Sequence, residues 1–294
     1  MLAKDFVIFG YPIAKSKSPI LHNTAFAYHN LPHAYRYIET PTLEREEVEK
    51  VLRSPAFGEI AISAFLDSIT PTAKLLGAVN TVISSKREDG TVELVGENTD
   101  WIGILRELQA KLGGTYEARA GTAGMVLGAG GAGRAAVHAL HEAGMSTIYL
   151  FNRTRSKAED IVFSFPSTYN IVLLDNLNAS SFNAGLPVAI VGTLPAKATT
   201  LDPEEANANT VFLPKDALLR PEGVVVIDMA YLPRETPLLR LTASLGTAQC
   251  KTATGLDVLL AQGFEQFRIW NGLEPPTELC REKVVEEYER ENPV

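Results

Sequence analysis

Gly128-Ala129-Gly130-Gly131-Ala132-Gly133 lies between the apolar run Met125-Val126-Leu127 and a helical pattern over residues 134–143. A buried strand, a glycine turn and a helix in immediate succession leave few folds open. In a G-x-G-x-x-G turn the first glycine permits the tight bend. The second lets backbone approach a pyrophosphate, and the third lets the helix pack closely. The helix N-terminus adds N–H groups and a partial positive charge that favour an anion. Glycine turns also serve packing alone, so context decides, and here strand and helix flank the turn in the required order. Further apolar runs over residues 147–151, 188–191 and 224–227 follow, with a helical pattern over 156–163 after the first. Such alternation points to an α/β domain with a parallel sheet.

The strand over residues 147–151 runs into Asn152-Arg153-Thr154. A site for NAD usually carries Asp or Glu there, accepting from ribose hydroxyls. No carboxylate is present. Arg153 can pair bidentately with a 2′-phosphate, and Asn152 and Thr154 can donate to it. A solvated arginine is the plainer reading of Arg153 alone, but the set favours NADP over NAD.

Upstream, residues 6–9 read as a buried strand stopped by Gly10 and Pro12, and residues 20–30 as a helix behind Pro19. Residues 34–38 read as a second strand, 43–53 as a charged helix and 65–76 as helix and turn. Small residues at 121–124 mark a boundary, and Leu256, Leu259, Leu260, Phe264 and Phe267 repeat at helical spacing. Lys+Arg 27 against Asp+Glu 35 gives a net charge of −8, which argues against a nucleic-acid track. Two cysteines, Cys250 and Cys280, exclude a disulfide scaffold and fit a reducing compartment. No apolar run reaches the ~20 residues of a membrane helix. The start lacks a signal-peptide pattern and no His/Cys cluster suggests a metal, so the cytosol is the default.

Two polar clusters lie outside the glycine-turn domain. Asn80-Thr81 follows Gly77-Ala78-Val79, and Asn98-Thr99-Asp100 follows Val95-Gly96-Glu97. Each places polar groups at the end of an apolar segment, where a parallel sheet opens toward a crevice. Helix capping competes, because Asp100 precedes a helical pattern over residues 102–111. Ser16 and Ser18 on the early turn can donate to a carboxylate, with a similar competing reading.

The chain carries Ser16-Lys17-Ser18-Pro19, Gly77-Ala78-Val79-Asn80-Thr81, Asn98-Thr99-Asp100 and the 128–133 loop, followed by Asn152-Arg153-Thr154 and Gly255-Leu256 with Gln262. In that order the motifs resemble shikimate dehydrogenases and quinate/shikimate dehydrogenases over nearly the whole chain. The resemblance implies an α/β fold in which residues 1–106 form a substrate domain with a mostly parallel sheet. Residues 107–254 would form an NADP-binding Rossmann domain across a cleft, and 255–294 helices packing back on the first domain. Family members reversibly reduce 3-dehydroshikimate to shikimate, in the pathway to aromatic amino acids, and some act on quinate. By resemblance Ser16 and Ser18 hold the substrate carboxylate, while Asn80, Asp100 and Gln262 bind ring hydroxyls and Tyr231 closes on the substrate. Gly128, Ala129, Gly130, Gly131, Ala132 and Gly133 would cradle the dinucleotide, with Asn152, Arg153 and Thr154 around the adenosine phosphate. Met229 and Gly255 would lie beside the nicotinamide. Family members are monomers or dimers, which admits a homodimer.

One family motif is absent. A Val-Thr-x-Pro-x-Lys-type segment normally precedes the helix leading to Gly-Ala-Val-Asn-Thr, and its lysine is the family's main acid/base, paired with the aspartate of Asn-Thr-Asp. Here Ala56-Phe57-Gly58 runs directly into Glu59-Ile60-Ala61-Ile62, with no lysine between Arg53 and Lys74. Removing a positioned proton donor typically costs ~10²–10⁴-fold in rate. Asp100, the remaining catalytic candidate, would lose its cation, so its pKa is expected to rise. Residues 59–65 alternate partially and could slide in as a replacement strand. Lys15, Lys17 and Lys74 are substitutes for the base, each more simply read as a surface lysine. Two functional readings follow: a dehydrogenase of reduced activity, or a non-catalytic relative that binds metabolite and nucleotide for regulation. A misjudged intron at Gly58 would also delete a block and keep both flanks in frame.

Overall fold

The structure is a computed structural model that describes residues 3–10, 13–39, 66–87, 89–113, 122–218, 220, 222–246 and 250–293. The chain divides into two compact units, residues 1–99 with 262–294 and residues 100–261. The limits expected from sequence, 106 and 254, fall within a helix and directly before one. The charged helix expected over 43–53, the shortened segment after Gly58 and the replacement strand over 59–65 lie outside the described residues. Among the described residues, no helix is long and apolar enough to cross a membrane.

The first unit opens with β1 (Asp5–Gly10), α1 (Ser18–Tyr28) and β2 (Ala34–Glu39). β3 (Ser68–Ile69), α2 (Pro71–Leu76), β4 (Thr81–Lys86) and β5 (Val92–Glu97) follow. β1 and β2 pair in parallel from Asp5 opposite Ala34 to Gly10 opposite Glu39. β5 lies between β3, which it joins in parallel, and β4, which it joins antiparallel. The expectation of helix and turn over residues 65–76 therefore fails at Ser68–Ile69. Asp67 and Thr70 donate backbone N–H to Leu94 and Gly96 at 2.9 Å, and the Asp67 carboxylate accepts from Leu94 N at 2.8 Å. These bonds to β5 impose extended backbone on a segment too polar to announce a strand. The β4–β5 pairing also corrects the placing of Asn80. It stands just before a strand, at the open end of an antiparallel pair, and its N–H donates to Glu97 O at 3.1 Å.

The second unit contains α3 (Asp100–Leu112), β6 (Ala123–Leu127), α4 (Gly131–Glu142), β7 (Thr147–Phe151) and α5 (Arg155–Ser164). It continues with β8 (Ile171–Leu173), β9 (Ala189–Gly192), β10 (Thr199–Thr200), β11 (Val211–Phe212) and α6 (Lys215–Leu218). β12 (Val225–Asp228), α7 (Pro237–Ala243) and β13 (Lys251–Ala253) complete it, and α8 (Gly255–Asn271) carries the chain back to the first unit. α9 (Thr277–Glu291) ends the described chain.

Six strands form one parallel sheet in the order β13-β12-β9-β6-β7-β8. Numbered by arrival and read from β8, that is the 3-2-1-4-5-6 order of doubly wound sheets, with its direction reversing between β6 and β9. β6, β9 and β12 are buried along their whole length, which explains their unbroken apolar runs. In the first unit, Phe6 packs at 5.0 Å from both Phe26 and Trp270, and Leu21, Phe267, Cys280 and Val284 are fully buried.

Two glycines fix how β6 meets α4. Gly128 has φ 117°, and a β-carbon there would stand 2.4 Å from Thr193 Oγ1. A β-carbon on Gly133 would stand 2.4 Å from the Gly128 carbonyl oxygen. The first turn of the helix is thus seated directly on the bend. Gly133→Ala is expected to lower the unfolding free energy by about 1–3 kcal/mol through overpacking against rigid backbone. Denaturant unfolding checks this, and an unchanged midpoint contradicts it.

Candidate active site

The loops after β6 and β9 enclose a cavity of about 490 Å³ at the point where the strand order reverses. Gly128, Ala129 and Gly130 form one wall, and Asn152, Arg153 and Thr154 another. Gly131, Ala132 and Gly133 are the first turn of α4, whose N-cap Gly130 has no side-chain cap. The leading N–H groups of that helix lack partners within it. A β-carbon on Gly130 would meet nothing within 4 Å, so the backbone faces open space there. Lys157 and Lys197 join Arg153 in the lining, and no acidic residue is among the lining residues. Arg153 donates to the carbonyl of Asn209, whereas its neighbour Arg155 is engaged by Glu159 and Asp175. Asn152 Nδ2 donates to Thr154 O at 2.7 Å, which closes the turn into α5. Three cations, an uncapped helix N-terminus and no carboxylate fit a phosphate-rich dinucleotide. Sequence reasoning missed Lys157 and Lys197. Lys157 had a signal, since it lies in the first turn of the helix that directly follows Asn152-Arg153-Thr154.

Met229 and Tyr231 line a second groove of about 560 Å³, which shares Pro195 and Lys197 with the first. They sit on the 228–236 turn that leaves β12. Asp228 ties this turn down, accepting from Thr236 Oγ1 at 2.6 Å and from Ala230 N at 3.2 Å. Thr236 in turn caps α7 by accepting from Leu239 N at 3.3 Å. Burial pushes the Asp228 carboxyl up to about 6, against the weaker opposing pull of the two hydrogen bonds. A β-carbon on Gly255 would lie 2.2 Å from Met229 O, so only glycine lets α8 start against this turn.

In the first unit the β4–β5 pair brings Asn80, Thr81 and Thr99 together. Asn80 Oδ1 accepts from Thr99 N at 2.8 Å and from Thr81 Oγ1 at 2.8 Å. Gln262 Oε1 accepts from Thr99 Oγ1 at 3.0 Å and lies 3.5 Å from Asn80 Nδ2. One turn along α8, Gln266 donates to Thr81 Oγ1 at 2.9 Å and meets His22 Nε2 at 3.2 Å through its Oε1. His22 is fully buried and stacks on Tyr35 at 4.6 Å, and burial lowers its pKa to about 3. It is neutral at every physiological pH. The two predicted amides therefore share one hydrogen-bonded cluster, in which neither caps a helix. Asp100 follows Thr99 directly and is the first residue of α3, where the helix dipole favours a carboxylate.

Ser16 and Ser18 flank Lys17 at the start of α1, and Ser18 N donates to Ser16 Oγ at 3.4 Å. Lys17 overturns its reading as a surface lysine. Its side chain is 2% exposed, and Nζ lies 2.5 Å from Glu291 Oε2 on α9. Hydrogen bonding to Lys17 holds the Glu291 carboxyl below its ordinary value. The pair is part-buried, with Glu291 31% exposed, and it occupies the Lys17 side chain. Lys15 and Lys74 are exposed.

The fold and the cationic crevice are those of a dinucleotide-binding α/β protein, and comparison with known proteins defines the family. The shikimate dehydrogenase substrate binding domain matches over residues 8–82, shikimate / quinate 5-dehydrogenase over 111–203, and the shikimate 5′-dehydrogenase C-terminal domain over 255–285. The pentafunctional AROM polypeptide of Malassezia globosa is 41% identical over 282 residues, which cover 93% of this chain and 17% of that protein. This chain thus spans about a sixth of the length of that relative. The dehydroquinate dehydratase and shikimate dehydrogenase portion of Schizosaccharomyces pombe AroM is 36% identical, with a TM-score of 0.80. That match covers 97% of this chain and 53% of the other. Shikimate 5-dehydrogenase of Thermus thermophilus, solved with NADP(H) and shikimate, is 30% identical with a TM-score of 0.75, covering 97% and 99% of the two chains. The chain belongs to the shikimate dehydrogenase family.

The Asp228 shift has a direct consequence for stability. Between the ordinary carboxyl value near 4 and about 6, the folded protein holds a proton that the unfolded chain has released. Asp228 alone therefore contributes a fall of about 2–3 kcal/mol as pH rises through that window and no further change above it, while buried His22, lowered to about 3, contributes a rise over the same range. Asp228→Asn is expected to remove the Asp228 contribution alone, so that the variant's unfolding free energy climbs more steeply with pH than the unaltered protein's between about 4 and 6. Parallel profiles for the two proteins contradict the account.

Proposed function

We propose that this chain is an NADP-dependent dehydrogenase that interconverts shikimate, or quinate, with the corresponding ketone, the first unit holding the substrate and the second the dinucleotide. The observation that carries the reading is the acid-free, tri-cationic cavity beside the glycine turn of the second unit; the buried amide cluster within the first unit supports it. In this reading Gly128, Ala129 and Gly130 admit the pyrophosphate, and the N–H groups of Gly131, Ala132 and Gly133 face it. Arg153 and Lys157 take the 2′-phosphate, supported by Asn152 and Thr154. Met229 and Tyr231, held by Asp228, border the nicotinamide end, with Gly255 packed behind Met229. The bound nicotinamide supplies or accepts the hydride.

Ser16 and Ser18 hold the substrate carboxylate, and Asn80 and Gln262 bind its ring hydroxyls. Asp100, or water beside it, moves the proton at the reacting oxygen. The absence of a lysine between Arg53 and Lys74, with Lys17 locked to Glu291, leaves this proton step slow. That same absence supports a second reading, a regulatory relative that binds metabolite and nucleotide without turnover.

Shikimate and NADP+ at alkaline pH are expected to give NADPH, read as absorbance, and Asp100→Asn is expected to abolish it. Saturable shikimate binding with no turnover by the unaltered chain would leave only the regulatory reading. Arg153→Gln and Lys157→Gln are each expected to raise KM for NADP+ by about 10- to 100-fold, since a hydrogen bond to a charged group contributes about 1.5–3 kcal/mol. KM for NAD+ stays as it was. Equal effects on the two cofactors contradict the assignment of the 2′-phosphate.

A further inference from the structure

The amide cluster of the first unit has a polarity that one backbone group determines. Thr99 N–H can only donate, so the Asn80 atom 2.8 Å away is its oxygen and Nδ2 is the other arm. Thr81 Oγ1 lies 2.8 Å from that same oxygen, so the Thr81 proton is committed there. Thr81 Oγ1 must then accept from Gln266 at 2.9 Å, which turns the Gln266 NH2 toward it and Oε1 toward His22. His22 therefore donates from Nε2, and its Nδ1 carries no proton; Nδ1 is buried without a partner. On the other side, Asn80 Nδ2 faces Gln262 at 3.5 Å, so the Gln262 atom there is the acceptor Oε1. Thr99 Oγ1 donates to it at 3.0 Å. Thr81, Thr99, His22, Gln262 and Gln266 are all buried, which makes an inverted member expensive.

We propose that Thr81 and Gln266 are positioning residues that, together with the Thr99 N–H and hydroxyl, hold the amides of Asn80 and Gln262 oxygen-inward, so that both meet the substrate as hydrogen-bond donors and select ligand oxygens that accept. This rests on the assignment of Asn80 and Gln262 to the substrate. It adds a specificity rule: a ring oxygen able to accept is favoured there, and a group that can only donate is rejected. Neither Thr81 nor Gln266 touches the substrate in this scheme.

The test is shikimate binding by calorimetry, with NADP+ binding and thermal unfolding measured on the same proteins. Thr81→Val keeps the shape and removes the hydroxyl, Thr81→Ser restores it, and Gln266→Glu replaces the donor to Thr81 with an acceptor. Thr81→Val and Gln266→Glu are expected to weaken shikimate binding about tenfold, the effect of one lost hydrogen bond of about 1.4 kcal/mol. NADP+ affinity is unchanged and Thr81→Ser binds shikimate as the unaltered chain does. In turnover the loss falls on KM for shikimate, with kcat little changed. If Thr81→Val does not fold, Gln266→Glu decides alone. Variants whose melting temperature falls while shikimate affinity holds overturn the proposal, as does a Thr81→Ser as weak as Thr81→Val. Failure of the unaltered chain to bind shikimate overturns the functional reading itself, and this proposal with it.

Discussion

The hydrogen bond from Thr99 N–H to Asn80 Oδ1 is the constraint on which the first unit's site depends. It exists because β4 and β5 run antiparallel, with Thr81 opposite Glu97, so that the residue before one strand meets the residues after the other. Gln262 and Gln266 reach the same place because they lie one turn apart on α8. A buried donor or acceptor left unpaired costs about 1–3 kcal/mol, so each orientation in the chain of contacts is enforced by the next. His22 closes the chain inside an aromatic cluster of Phe26, Tyr35 and Trp270, where burial keeps it neutral. The hydrogen-bonded cluster is thus anchored at one end in apolar packing.

The second unit works by different physics. Its cavity relies on backbone N–H groups and on Arg153, Lys157 and Lys197, drawn together on a chain whose net charge is −8. Overall charge says little here, because the local field is set by which side chains share a wall. The bend itself is a matter of contact distance, since Gly128 and Gly133 leave no room for a side chain between turn and helix.

Much of this was legible in the sequence because it rests on local pattern. The strand–glycine–helix succession around residues 125–134 and the apolar runs of β7, β9 and β12 depend on neighbours in the chain. What was not legible depends on distant partners. Ser68–Ile69 is a strand only because β5 lies beside it, and Asn80 precedes its strand because the pairing is antiparallel. Lys17 resembles any surface lysine until Glu291, 274 positions away, is placed against it. Asp228 carries no motif of its own; its role appears once Thr236 and Ala230 turn toward it. The roles given to Tyr231, Met229 and Gln262 came from family resemblance, since no periodicity marks them.

Neutron diffraction from deuterium-exchanged crystals tests the central claim most directly, because it shows where each proton of the amide cluster lies. The account predicts a deuteron on Thr81 Oγ1 directed at Asn80 Oδ1, the deuterated Gln266 amide directed at Thr81, and a deuteron on His22 Nε2. A Thr81 deuteron directed at Gln266, or a His22 protonated on Nδ1 alone, would contradict it.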